Sequence, residues 1–297
     1  MRKRMLLALA AVLVTAALAL LFYTGRLQFN YPSDAAYPIR GVDVSAYQGE
    51  IDWPTLAGQG IDFAFIKATE GSKFVDERFS FNWENAAETN LRIGAYHFFS
   101  FDSPGSTQAE NFIRTVDDRE DMLPPVVDVE FYGKYRRQRP EDIAGVREEL
   151  HTMLEMLTQA YGVRPILYVT RASYDLLIAG EFAEYDIWFR NILRAPRLSD
   201  GREWVFWQYS DRGRLEGYDG VEKFIDLNVF YGSKEKFESY GKTTGATHPR
   251  RYDYNCDDQA VCRHAGRFSV CKAHRLVQSH CFCINSFFYK WKTMIVK

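Results

Sequence analysis

Asp128 and Glu130 stand two residues apart at the end of the run Val126-Val127-Asp128-Val129-Glu130. Extended chain alternates its faces, so the two carboxyls point one way while Val127 and Val129 point the other. Pro124-Pro125 bars a helix from running in, and the β-branched valines favour a strand. Two acids held side by side at the end of a buried strand repel each other, so at least one pKa is expected to rise. A carboxyl that keeps its proton near neutral pH can serve as a general acid. The same pair could instead cap a helix or bind arginine, and this segment alone does not choose.

The surrounding elements decide how such a pair would be presented. Short apolar runs of strand type recur at 39–45, 63–69, 92–99, 126–130, 165–170, 185–191, 204–209 and 224–229. Between several of them lie stretches with helical spacing, at 54–58, 77–90, 106–116, 140–161 and 171–181. In the longest, Pro140 suits the first helical position, Glu141 and Asp142 suit the positive end of the dipole, and Gly162 suits the stop. Strands alternating with helices indicate an α/β fold with a parallel sheet, and eight of them suggest a closed TIM-like barrel. The later strands have too little sequence between them for full helices, so the barrel should be irregular and its helix ring incomplete. Chemistry in such barrels collects at the C-terminal strand ends. Asp43, Glu70, His97, Asp128, Glu130, Asn191, Gln208 and Asp226 all fall at or near those ends. Polar residues bound most strand ends, but four acids spread over different strands are harder to dismiss.

Composition divides the chain into unlike parts. The whole carries a formal charge of −2 over 297 residues, so nothing global points to nucleic acid. An aromatic content of 15% suits a sugar-binding cleft or a large aromatic core. All five cysteines lie in the segment 242–297, which is also strongly basic, and none lies in the body. His264, His274 and His280 among them allow a zinc site, yet no Cys-x-x-Cys occurs and the cysteine count is odd. A small disulfide-linked wall-binding module is a second option. The reading adopted for 242–297 is a poorly ordered basic, Cys-rich extension without metal. At the other end, Arg2-Lys3-Arg4 precedes an uncharged stretch from Met5 to Phe22. That pattern fits a signal or a membrane anchor in residues 1–25, and the lack of a clean cleavage site after Phe22 favours the anchor. Basic residues before the helix keep the N-terminus inside and place the body outside the cytoplasm. Residues 26–38 read as a polar spacer, and 39–241 as the barrel.

Six stretches of the body together resemble glycoside hydrolase family 25, the muramidases that include the Chalaropsis-type and phage-type lysozymes. They are Gly41-Val42-Asp43-Val44-Ser45 with Tyr47-Gln48-Gly49, Phe65-Ile66-Lys67-Ala68-Thr69-Glu70-Gly71, Gly94-Ala95-Tyr96-His97-Phe98, Asp128-Val129-Glu130, Trp207-Gln208-Tyr209-Ser210 and Asp226-Leu227-Asn228-Val229-Phe230. The resemblance implies an irregular eight-stranded β/α barrel. It also implies hydrolysis of the β-1,4 bond between N-acetylmuramic acid and N-acetylglucosamine in peptidoglycan, without a cofactor or metal. By position, Glu130 matches the general acid, Asp128 the carboxylate beside it, and Asp43 and Asp226 the other two cleft acids.

A nucleophilic carboxylate would stand ~5–5.5 Å from the acid, and a base activating water ~6.5–9.5 Å from it. Neighbours on one strand cannot easily straddle a sugar ring. The favoured reading therefore has the substrate's own 2-acetamido group attack while Asp128 orients and stabilises it. Repulsion between carboxylates is expected to be the main cause of a raised Glu130 pKa. Tyr47, Tyr96, Phe98, Tyr168, Trp188 and Trp207 offer faces for sugar stacking, although each could equally pack in a core. Gln208 supplies a polar contact, and Arg190 either narrows the cleft or binds an anionic group. His97 reads as a hydrogen-bonded strand-end histidine rather than a catalytic one, and Glu70 as a pocket wall or salt-bridge partner. The expected partners are peptidoglycan strands and, through the N-terminal helix, a membrane; the protein should be a monomer. Two other functions fit the same cleft: a glycan-binding barrel without turnover, and a hydrolase of another N-acetylated polymer such as chitin.

Overall fold

The structure is a computed structural model that describes residues 2–27 and 30–242, together with Cys262–His264 and Arg267–Ser269. The chain divides into two units, Met1–His248 and Pro249–Lys297.

In the first unit α1 (Arg2–Tyr23) is a 22-residue helix with no buried residue. At ~1.5 Å per residue it is ~33 Å long, close to the ~30 Å hydrocarbon thickness of a bilayer. The barrel follows. Its strands are β1 (Arg40–Val44), β2 (Phe63–Glu70), β4 (Arg92–Phe98), β5 (Val126–Val129), β6 (Ile166–Thr170), β7 (Ile187–Arg190), β8 (Phe206–Gly213) and β9 (Ile225–Phe230), while β3 (Phe74–Val75) is a short ribbon on β2. Pairing of β1 with β2 closes the sheet. Every apolar run picked out in the sequence forms one of these eight barrel strands.

The expectation of a parallel sheet fails at one of the eight barrel strands. β9 runs antiparallel to both β8 and β1. A parallel return needs a crossover of a dozen or more residues, usually a helix, and residues 214–224 contain none. This reversal brings Asp226, at the start of β9, to the same end of the barrel as the C-terminal ends of the other strands.

The helix ring is sparse, as anticipated: α2 (Trp53–Ala57), α3 (Phe79–Ala87), α4 (Gly105–Thr115), α5 (Ile143–Tyr161), α6 (Arg171–Ser173) with a following π turn, and α7 (Lys234–Ser239). α5 starts at Ile143 rather than at Pro140, because the Asp142 side chain accepts from the Gly145 amide and caps the first turn.

Strand alternation sorts the core into two layers. Phe63, Phe65, Val126, Ile166, Trp188, Phe206 and Phe230 fill the barrel interior. Val127, Val129, Leu167 and Phe189 face outward and join Leu154 and Leu157 of α5 in the outer layer. Two glycines make the aromatic filling fit. A Cβ on Gly41 would lie 2.3 Å from the Phe63 ring, and one on Gly94 would lie 2.6 Å from the Phe65 ring. With the lower barrel packed solid, the polar inward-facing residues are left at the open mouth.

In the second unit, β10 (Cys262–His264) and β11 (Arg267–Ser269) pair antiparallel. The expectations of poor order, and the zinc and disulfide alternatives for 242–297, otherwise lie outside the described residues.

Candidate active site

The barrel mouth holds a cleft of about 590 Å³ whose walls include Asp43, Lys67, Asp128, Glu130 and Asp226. All four acids singled out in the sequence thus meet in one cavity. They form two pairs on different supports.

Asp43 and Asp226 are direct partners across the antiparallel β1–β9 ladder. The Gln208 amide donates to both, at 2.9 Å to Asp43 Oδ2 and 3.2 Å to Asp226 Oδ2. Asn228 Nδ2 donates to the same Asp43 oxygen at 2.7 Å, while its own Oδ1 accepts from Trp188 Nε1 at 2.8 Å. Tyr168 donates to Gln208 Oε1 at 3.0 Å and so completes the web. Burial raises both acid pKa values, Asp226 further, with the neighbouring Asp43 charge adding to the rise. The amide donors oppose the rise at Asp43. The web therefore holds Asp43 as the carboxylate and leaves the proton on Asp226.

Asp128 and Glu130 face the cleft from β5 and its end without such support. Asp128 is 7% exposed, and its Oδ1 has no hydrogen-bond partner among the described residues. Burial pushes its pKa well up, and the Glu130 charge pushes it further. Glu130 is also raised, and the larger cause is burial rather than the repulsion expected from the sequence. Arg190 and Arg136 act against that rise. Burial therefore favours the protonated form of both carboxyls.

The remaining expected site residues separate into three groups. Tyr47, Tyr96, Phe98, Tyr168 and Trp188 line the cleft. Tyr47 is exposed and free to meet a ligand, whereas Trp188 is 2% exposed and serves as floor, stacked on Phe65 at 4.7 Å. Gln208 lies beneath the acids at 1% exposure and donates to both Asp43 and Asp226. Arg190 stands at the rim, its guanidinium 2.8 Å from Asp211, and lines an adjoining pocket with Thr170, Arg171 and Asn191.

Trp207 requires a correction. It points to the outer layer, donates to the Asn191 carbonyl at 2.8 Å, and packs among Tyr37, Trp204 and Tyr209. Adjacent residues on a strand face opposite sides, so Trp207 and Gln208 cannot share the cleft.

His97 also faces outward, buried between Thr69 Oγ1 at 2.7 Å and Gln108 Oε1 at 3.0 Å. Burial lowers it to about 4, which keeps it neutral and structural. Glu70 pairs with Lys67 at 2.7 Å.

Sequence reasoning passed over several wall residues. Lys67 continues the inward series Phe63, Phe65, and its ammonium lies 5.1 Å from the centre of the Phe98 ring. Its positive charge lowers the pKa of both Asp128 and Glu130. Asn228 continues the inward series from Asp226, so period-two spacing would have found both. Asp211, Arg212, Glu222, Phe224 and Tyr23 also line the walls, and nothing local in the sequence marks them.

Comparison with known proteins agrees with this geometry. Residues 42–218 match the family model described as Glycosyl hydrolases family 25. The uncharacterized protein YegX of Escherichia coli strain K12 is 39% identical over 211 residues, covering 69% of this chain and 74% of YegX. Lysozyme M1 of Streptomyces globisporus is 32% identical over 232 residues, covering 72% of this chain and 74% of that protein. The solved structure of a family 25 glycosyl hydrolase from Bacillus anthracis superposes with a TM-score of 0.68 at 55% identity, covering 72% of this chain and 98% of that one. With the acid-lined mouth, the closed eight-stranded barrel and these matches, the chain belongs to glycosyl hydrolase family 25 and is a glycoside hydrolase.

Proposed function

We propose that this enzyme is an exported N-acetylmuramidase that cleaves the β-1,4 bond between N-acetylmuramic acid and N-acetylglucosamine in peptidoglycan. The observation that carries the reading is the unsupported carboxyl pair, Asp128 with its unpartnered Oδ1 and Glu130, in a cleft wide enough for sugar rings. The similarity to Lysozyme M1 supports the substrate class. The apolar α1 supports export.

Glu130 is the general acid and protonates the leaving oxygen. Asp128 lies on β5 and Glu130 just past its end, both facing the cleft, so the two carboxyls flank one side of the scissile bond instead of facing each other across it. That placement favours attack on C1 by the carbonyl oxygen of the substrate's 2-acetamido group. The acetamido N–H donates to Asp128 and stabilises it as a carboxylate, while the bound sugar strips water from Glu130 and raises it further. Substrate thereby favours Asp128 as the carboxylate and Glu130 as the protonated acid that the reaction needs. Water then opens the cyclic intermediate at C1 and returns a proton to Glu130, with the anomeric configuration retained.

Purified peptidoglycan treated with the parent and with Glu130→Gln, its products read by mass spectrometry, tests this reading. Parent activity should release fragments ending in reducing N-acetylmuramic acid, and the variant should lose ~10²–10⁴-fold in rate. Equal activity from the two would remove Glu130 from the role. Binding to the wall with no products from either would favour the glycan-binding barrel.

A further inference from the structure

The end of α1 does not hang free of the barrel. Arg212 Nη1 on β8 donates to the Tyr23 carbonyl at 2.9 Å, and Arg214 Nε donates to the Thr24 carbonyl at 2.8 Å. The Arg212 guanidinium lies 5.3 Å from the centre of the Tyr23 ring and 5.6 Å from that of Phe224. At Gly25 the chain turns with φ +68°, and a Cβ there would come within 2.5 Å of the Arg212 carbonyl. Any other residue would push the turn off β8, so this close approach depends on glycine. Beyond it, Asn30 Nδ2 reaches the Asn191 carbonyl at 3.3 Å, and Tyr31 meets Tyr209 edge-on at 5.8 Å. The segment read as a spacer is therefore strapped along the barrel.

These contacts place Tyr23 in the cleft wall, beside Arg212, Glu222 and Phe224 and in the same cavity as Asp226 and Glu130. Tyr23 is 68% exposed, so its ring is presented rather than packed away. It is also the last residue of a helix whose length and apolar surface match a bilayer, the position where tyrosine settles at a membrane interface. One residue thus belongs to both the membrane boundary and the sugar cleft.

We propose that the α1 terminus, Tyr23 through Gly25, is a built wall of the glycan subsite and holds the cleft at the outer surface of the membrane. This proposal rests on the muramidase reading above. Its consequence is a substrate choice: glycan lying against the bilayer, supplied by glycosyl transfer at the membrane surface, is cleaved in preference to wall distant from it. α1 is then part of the enzyme and not a disposable export signal.

The test uses the full chain in proteoliposomes. Tyr23→Ala and Gly25→Val are compared with the parent on soluble peptidoglycan oligosaccharides. Loss of one aromatic sugar face should raise KM about three- to tenfold with kcat held within about twofold, and displacement of the turn by Gly25→Val should do the same. Tyr23→Phe should restore the parent KM. The parent should also cut glycan polymerised on its own vesicles about tenfold or more faster than suspended sacculi, and Gly25→Val should narrow that ratio. Parent KM in both variants, an unchanged ratio, or an enzyme recovered from native membranes without α1 would overturn the proposal. An inactive parent on every substrate would instead count against the muramidase reading.

Discussion

The two carboxyl pairs at the barrel mouth share burial, charge type and cavity, yet they are supported in opposite ways. Asp43 and Asp226 sit in register on a ladder, and amides from Gln208 and Asn228 decide which of them is ionised. Asp128 and Glu130 lie on β5 and just past its end, and among the described residues Asp128 Oδ1 meets no donor. A buried polar atom without a partner costs ~1–3 kcal/mol, so it persists where something outside the folded chain completes it. The first pair is finished by the protein. The second has no such web.

Replacing Asp128 by Asn breaks that contrast most strongly. An amide cannot take up the charge that develops on the attacking acetamido group, so kcat should fall ~10²–10³-fold. The folded protein should gain stability, because a buried carboxyl whose raised pKa costs stability at neutral pH is replaced by a neutral amide; a rise of ~2–4 °C in Tm corresponds to ~1 kcal/mol in a barrel of this size. Steady-state kinetics beside a thermal melt reads both. A variant that keeps its rate, or one that melts lower, would mean that Asp128 is a structural acid.

Asn228→Ala attacks the other pair and should reverse the balance. It removes the donor to Asp43 and the acceptor for Trp188 Nε1 together. Two buried groups lose partners, so stability should fall by ~2–4 kcal/mol, while the rate falls less than about tenfold. Urea titration with parallel kinetics separates the effects. Should the rate fall more than the Asp128 variant's, the web would have to be counted as part of the chemistry.

The unequal visibility of the pairs in the sequence has the same origin as their unequal support. Asp128-Val129-Glu130 could be read because a single strand's alternation places both carboxyls, and alternation is a local property. The runs 39–45 and 63–69 were legible as strands from their short apolar composition, which is also local. The Asp43–Asp226 partnership depends on β9 running antiparallel, which the short 214–224 connection permits but which only closure of the barrel reveals. Trp207 was misplaced although Gln208, its neighbour, had been placed in the same cleft; alternation applied to both would have excluded one. Tyr23 lies almost two hundred residues from Arg212, and no spacing rule links a helix end to a strand at that distance. Burial, the chief cause of every raised acid here, is likewise a property of the closed barrel and not of the run that carries the acid.

The smallest effect concerns the other face of the neighbouring strand. On β4, Phe98 turns inward beside Asp128, while His97 turns outward beside Val127. Burial acts on both faces, but it raises the inward acids and lowers the outward histidine, to about 4 from an ordinary 6.5. Between those two values the unfolded chain binds a proton that the folded chain refuses. Stability carried by neutral His97 is therefore level above pH 6.5 and is lost as pH falls through the window. The raised acids have the opposite sign: they favour the fold most at low pH and lose that contribution as pH rises. His97→Gln isolates the histidine, since glutamine does not titrate and retains polar atoms for Thr69 and Gln108. The parent should lose ~2 kcal/mol from this group between pH 6.5 and 5, at 1.36 kcal/mol per pH unit, and the variant should not. Urea midpoints at the two pH values measure the difference. If the gap between parent and variant is the same at both, His97 does not titrate in that window, and the separation of the sheet into an acid-holding inner face and a proton-refusing outer face fails at this strand.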